Sequence, residues 1–236
     1  MNGARVEAQF FGHLLSPLFR QHLRGSPGRH AMMNWQAGPA AASLLQRKDE
    51  LPVSESTPTI AAVLLGAGRS ARFGTDKLAA GLGGGTVIGR SALSLRAATS
   101  GPRLAVLRRP EQSLLLPDGF QIALCEGQQS DSLRMAADWA ARTGADGLLI
   151  ALADMPFVPP DLHRAVISRL AALPACASNG HTAMPPAIFP ASWFPRLRAL
   201  GGDRGAGALL GNLPASQQIA AAPEQLRDID TPADLP

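Results

Sequence analysis

Residues Gly66 to Lys77 read GAGRSARFGTDK, and three cations, Arg69, Arg72 and Lys77, stand within nine positions of this stretch. Glycines let a backbone approach a ligand closely, and the free amides of such a turn attract phosphate oxygens. Transfer of a nucleotidyl group loads negative charge onto a leaving pyrophosphate. Fixed cations aimed at that charge are what the reaction requires, because positioning and electrostatics do most of the work. A Walker A loop is excluded, since Gly68, Gly74 and Lys77 lack its spacing. A dinucleotide fingerprint is met by Gly66, Gly68 and Ala71, but the second apolar run ends in Arg108 and Arg109 where an acid is expected. Arginine there can serve a 2′-phosphate, so an NADP-dependent reductase stays open beside nucleotidyl transfer.

A carboxylate of interest lies further along. Asp154 follows the apolar run GLLIAL in a loop closed by Pro156, Pro159 and Pro160. There it suits Mg²⁺, a hard cation that takes one or two carboxylates plus phosphate oxygens and water. Its competing role, capping the next helix, fits Asp161 better. Ser132, ahead of a helical stretch, reads as that helix's N-cap. His163 reads as a partly exposed helix residue, and His181 is ambiguous. Asp230, before Thr231 and Pro232, also carries the signature of a helix start.

Positioning these groups falls to an alternating framework. TIAAVLL, RLAVL, QIALC and GLLIAL are short, continuously apolar runs, the pattern of strands buried on both faces. Between and after them, SALSLRAAT, SLRMAADWAART and PDLHRAVISRL carry helical spacing. In the last, Leu162, Ala165, Val166 and Leu170 share a face opposite Asp161, Arg164 and Ser168. Strands alternating with helices predict an α/β fold, a parallel sheet covered on both sides. Ligands of such sheets lie beyond the carboxyl ends of the strands, where the turn at Gly66 and the acid at Asp154 both fall.

The chain has 236 residues, 46% of them hydrophobic and 17% charged, enough apolar material for one core. Its formal charge of +4 arises without a basic stripe, which argues against nucleic acid as a partner. No apolar run is long enough for a membrane span. The two cysteines, Cys125 and Cys176, suit a reducing compartment. Residues 1–58 lack a sustained apolar period and end in a polar linker, QRKDELPVSESTP, so they read as a disordered or marginally helical extension before a domain at 59–236. An organelle presequence and an upstream misassigned start, with Met32 or Met33 as the later one, are the other readings of that extension.

The stretch LLGAGRSARFGTDKL resembles the signature L-A-[AG]-G-x-S-x-R-[MF]-G-x-x-K of the molybdenum cofactor nucleotidyltransferases. Further blocks agree in order: GQQSDSL from Gly127, ALADMPFV from Ala151, PPAIF from Pro185, GDRGAGALL from Gly202 and DIDTPADL from Asp228. The resemblance runs from about Ile60 to Leu235. It implies a single Rossmann-like three-layer domain of the nucleotide-diphospho-sugar transferase type, with a mainly parallel sheet. It also implies nucleotide binding by Leu65, Gly66, Ala67, Gly68, Arg69, Arg72, Lys77 and Ser130, with Arg72, Lys77 and Asp154 catalytic. Asp154 is the implied ligand of Mg²⁺, Asp230 the second ligand and Asp228 the alternative to it. Asp203 and Arg204 would meet the second substrate, molybdopterin, through its terminal phosphate.

Within the family, Gly at the third position of the opening quartet accompanies guanine and Ala accompanies cytosine. The quartet here is Leu65-Gly66-Ala67-Gly68, which favours CTP over GTP. The chain departs from the family at Pro185-Pro186, where His-Pro is usual, and at Gly207, where Arg is usual, both on the acceptor side. The expected protein is a cytoplasmic, Mg²⁺-dependent cytidylyltransferase acting on molybdopterin, with a molybdoenzyme as a possible client. A non-catalytic carrier of the finished cofactor, and a nucleotidyltransferase for another phosphate acceptor, are the alternatives beside the reductase.

Overall fold

The computed structural model describes residues 57–68, 73–202 and 205–236. In chain order the elements are β1 (Ile60–Gly66), β2 (Gly81–Leu82), β3 (Gly85–Thr86), α1 (Val87–Ala98), β4 (Arg103–Leu107), β5 (Gln121–Leu124), α2 (Gln129–Arg142) and β6 (Gly147–Leu152). After them come α3 (Pro160–Ile167), β7 (Ala175–Ser178), β8 (Ala183–Pro190), α4 (Phe194–Arg198) and β9 (Gln218–Ala220). Seven strands form one sheet in the order β5-β4-β1-β6-β8-β7-β9, and β2 and β3 form a separate hairpin. That hairpin turns through Gly83 and Gly84, both at positive φ, as a two-residue connection of this hand requires.

β1 pairs in parallel with β4 on one side and β6 on the other, Val63 lying between Leu104 and Ile150. Because successive side chains point to opposite faces, each strand feeds two cores. Val63, Val106, Leu148 and Ile150 pack beneath α2 and α4 with Leu133, Ala136 and Leu197. Leu64, Leu107 and Leu149 pack on the other face beneath α1 and α3 with Ile88, Leu95 and Val166. Each such fully buried side chain is worth about 1.5–3 kcal/mol of transfer free energy. The fold is the predicted three-layer α/β domain with a mostly parallel sheet.

Several local expectations are corrected. Beyond β6 one strand breaks the parallel order: β8 runs antiparallel to both β6 and β7, while β9 pairs in parallel with β7. β5 is not buried on both faces; it is an edge strand with Ile122 and Leu124 largely exposed. Helix α1 starts ahead of the predicted stretch because Thr86 Oγ1 accepts the amide of Gly89 at 3.1 Å. Ser132 is no N-cap: α2 begins at Gln129, with the Asp131 carboxylate accepting the Gln128 amide at 2.8 Å, and Ser132 is buried inside the helix. Asp161 lies in the first turn of α3 rather than capping it, and its carboxylate pairs with Arg164 at 2.6 Å. His163 is buried, not exposed, because it falls on the same inward face as Leu162 and Val166. Desolvation holds its pKa down to about 4, so the imidazole is neutral near pH 7.

Candidate active site

The chain leaves β1 for β4 on one side and later returns to β6 on the other. The carboxyl ends of β1 and β6 therefore mark the point where strand order reverses, the usual place for a ligand in an open α/β sheet. A cavity of about 380 Å³ opens there, within the range of small-molecule sites. Leu65, Ala67 and Gly68 line it from the turn after β1, and Leu152 and Asp154 from the end of β6. Gln129, Ser132 and Leu133 line it from the first turns of α2, whose amino terminus favours anions. Pro185 and the segment Gly205–Ala208 complete the wall.

The two glycines of the turn have different jobs. Gly66 is still in the strand, where a Cβ would meet Leu78, Leu107 and Ala153 side chains at 3.1–3.2 Å, so its constraint is packing. Gly68 faces open space. Its bareness keeps the cavity wall low where a phosphate chain can lie against the backbone.

Lys77 opens a short turn over Lys77–Ala79 whose cap is Asp76, with Oδ1 accepting the Leu78 amide at 3.1 Å. Asp76 Oδ2 is itself held by the buried Gln112 at 2.8 Å. So anchored, the Lys77 side chain, only 9% exposed, donates from Nζ to Asp154 Oδ2 at 2.7 Å and to Asp230 Oδ1 at 2.8 Å. Burial alone would push the ammonium down in pKa. Attraction to Asp154, with hydrogen bonds to both carboxylates, outweighs it and holds Lys77 above the ordinary lysine value.

The capping work beside Asp230 is taken by Asp234. Asp234 Oδ2 accepts the amides of Asp230 at 3.0 Å and Thr231 at 2.6 Å, together with the Thr231 hydroxyl. A main-chain bond from Ile229 to the Asp154 carbonyl at 2.9 Å ties the two acidic loops together. Asp228 stands beside them. Desolvation, then repulsion from Asp230 and Asp154, pushes its carboxyl above the ordinary value.

Of the sequence candidates, the structure therefore brings together Leu65, Ala67, Gly68, Lys77, Asp154 and Asp230, with Asp228 beside them. Ser130 is buried behind the wall; on this turn Gln129 and Ser132 face the cavity instead. Arg69, Arg72, Asp203 and Arg204 lie outside the described residues. Arg108, the candidate for a 2′-phosphate, directs its guanidinium at main-chain carbonyls of Ala67, Glu126 and Gly127. Gln129 and Asp234 were missed. The signal for Asp234 was present: Thr231 followed three residues later by an acid is a capping spacing.

Among the described residues, no three acidic, histidine or cysteine side chains converge as a metal cage, yet two carboxylates converge on one ammonium. Mg²⁺ uses one or two carboxylates and completes its shell with phosphate and water, so a pair is a sufficient donor set. The local charge agrees. Asp154 and Asp230 bond a single ammonium with Asp228 nearby, and the Asp228 carboxyl is raised first by desolvation and then by repulsion from Asp230 and Asp154.

A turn with phosphate-sized room, paired carboxylates and a buried lysine at this point of the sheet make a nucleotidyltransferase site. The chain belongs to the family of the MobA-like NTP transferase domain, whose sequence pattern matches residues 62–219. It is 32% identical over 195 residues to the purine catabolism protein PucB of Bacillus subtilis, spanning 75% of this chain and 94% of that one. Rv0371c of Mycobacterium tuberculosis, 28% identical, superposes with a TM-score of 0.65 over 75% of this chain and 95% of its own. A crystal structure of that protein in complex with manganese superposes at 0.62, with 26% identity, 75% of this chain covered and 95% of that one. A nucleotidyl transferase from Methanothermobacter (Mth528), 22% identical, shares the fold at 0.63, covering 75% of this chain and 94% of that one. The reductase and carrier readings give way to an enzyme that transfers nucleotidyl groups.

Proposed function

We propose that this enzyme is Mg²⁺-dependent and transfers CMP from CTP to the terminal phosphate of molybdopterin, releasing pyrophosphate. The observation that carries the reading is the convergence of Lys77, Asp154 and Asp230 beside the cavity that Ala67 and Gly68 line. An oxygen of the acceptor phosphate attacks the α-phosphorus of the nucleotide, and the bond from that phosphorus to the bridging oxygen breaks. Pyrophosphate departs with the electron pair. The nucleophile is already ionised at neutral pH, so no side chain has to remove a proton.

In this reading the turn from Leu65 to Gly68 presents backbone to the phosphates, and Arg69, Arg72 and Lys77 balance their charge. Asp154 and Asp230 hold Mg²⁺, which when bound supplies further charge neutralisation to the phosphate oxygens. Ser130 lies on the base and ribose side, and Asp203 and Arg204 on the acceptor side. Ala67, at the quartet position that accompanies cytosine in the family, lines the cavity and supports the choice of CTP.

Titration of the full chain against CTP, GTP, UTP and NADPH with Mg²⁺, followed by transfer of radiolabel from α-labelled nucleotide to molybdopterin, tests the reading. CTP binding with pyrophosphate release is the expected result. Preference for GTP would replace the base assignment, and binding of NADPH alone would overturn the reading altogether.

A further inference from the structure

Arg108 stands one residue beyond the last position of β4, at the strand's carboxyl end. β4 lies between β1 and β5, so the loops leaving those two strands pass on either side of it. Every guanidinium nitrogen donates to a main-chain carbonyl: Nε to Ala67 at 2.9 Å, Nη1 to Glu126 at 3.0 Å and Nη2 to Gly127 at 3.1 Å. The first acceptor lies in the turn that lines the cavity. The other two lie in the loop that leads into α2.

That loop is tied by further bonds beyond the contact. Asp131 holds the Gln128 amide at 2.8 Å, and Ser130 donates its own amide to the Gly202 carbonyl at 3.3 Å. Gln129 and Ser132, on the same turn of α2, face the cavity opposite Ala67 and Gly68. One planar fork thus bonds to the turn after β1 and to the loop leading into α2 without being among the residues that line the cavity.

We infer that Arg108 is a positioning residue, setting the gap between the phosphate turn and the α2 wall in which the nucleotide is seated. The inference rests on the nucleotidyl-transfer reading of the cavity. Lysine cannot substitute, because a single ammonium cannot present three in-plane donors to carbonyls on two loops. The role acts on binding geometry before the chemical step, so it separates affinity from turnover.

The test compares full-length wild type with Arg108→Lys and Arg108→Met. Readouts are Kd for CTP and GTP with Mg²⁺, the KM and kcat of pyrophosphate release, and thermal midpoint. The expected result for Arg108→Lys is a rise of about tenfold in Kd and KM, kcat within about threefold, and a Tm within a few degrees of wild type. Arg108→Met should weaken binding further; if it fails to fold, the lysine variant decides. Unchanged Kd and KM in Arg108→Lys, a loss confined to kcat, or a general collapse of all parameters with Tm would each overturn the inference. A wild type that binds no triphosphate would overturn the reading of the site as well. A wild type that binds while Arg108→Lys binds equally well overturns only the role of Arg108.

Discussion

On one side of β1 the strands β4 and β5 run parallel to it, so the chain leaving each starts from the same carboxyl edge before crossing back. Beyond β6 the rule changes: β8 turns back, pairing antiparallel with both β6 and β7. The first half supplies the glycine turn and the Arg108 fork that bonds to its backbone. The second half supplies charge, since Asp154 follows β6 and Asp230 follows β9. Lys77 joins them, a cation from the first half held by carboxylates of the second. In the proposed reading, nucleotide shape and metal charge are then handled by separable pieces of chain.

Substitutions can break that division, and the largest effect belongs to its charged side. Asp154→Ala removes a proposed metal ligand and a partner of Lys77, and kcat/KM for pyrophosphate release should fall by about 10³, the upper range for one preorganised charged group. Removing Mg²⁺ with EDTA should match that loss in wild type and be reversed by adding Mg²⁺ or Mn²⁺.

Lys77→Met should lower kcat by about 10²-fold, and should also destabilise the fold by about 2–3 kcal/mol. The stability loss is below that of a fully buried pair because both carboxylates keep some solvent. Its pH dependence has a definite sign. The pKa of Lys77 is raised above 10.5, so its stabilisation is complete below pH 10.5 and vanishes as pH rises through the folded-state value. The Tm gap between wild type and Lys77→Met should therefore be flat at neutral pH and close only in strong alkali.

Next come the glycines, which sharpen the distinction within the first half. Gly66→Ala presses on three packed side chains and should lower Tm by about 3–6 °C, an overpacking cost of about 1–2 kcal/mol. Gly68→Ala should leave Tm unchanged while weakening CTP binding several-fold in the same titration.

Asp228→Asn is smaller and has the opposite sign. The folded chain holds the Asp228 proton above its ordinary pKa of 3.8, so this residue's contribution to stability falls as pH rises through the folded-state value. In metal-free buffer at pH 7 the variant should be more stable by about 1–2 °C, an advantage that fades towards pH 4 when followed by thermal melts. Smallest of all, Ile122→Thr on the exposed edge strand should change Tm by no more than about 1–2 °C and leave kcat/KM unchanged.

The two halves also differed in how readily they could be read. β1, β4 and β6 announced themselves because a strand buried on both faces must be apolar throughout. The turn at Gly66 and the acid at Asp154 followed from their ends. β7 and β8 gave no such signal: ACAS is too small and short, and AMPPAIFP holds prolines that ordinarily argue against a central strand. β8 accommodates them because Pro185 and Pro186 sit where its register against β7 shifts and beyond its last pair with β6. The acidic partner Asp230 came from resemblance alone. Its neighbour Asp234 was overlooked because Asp230 itself carried the helix-start signature. His163 was misread because one polar residue on an inward helical face contributes little to a periodicity judged by its apolar members.

The prolines of β8 have one more consequence. Pairing between β6 and β8 ends at Ile150 opposite Ala187, and the next positions, Leu152 and Pro185, part to become opposite sides of the cavity. A proline has no amide hydrogen with which to carry a ladder onward. The chamber is thus an unzipped seam in the sheet, not a hollow beneath an added lid. Its depth is metered by where the zipper stops, so moving an amide-bearing residue by one pair along this seam would resize the receptacle without altering a single side chain that performs chemistry.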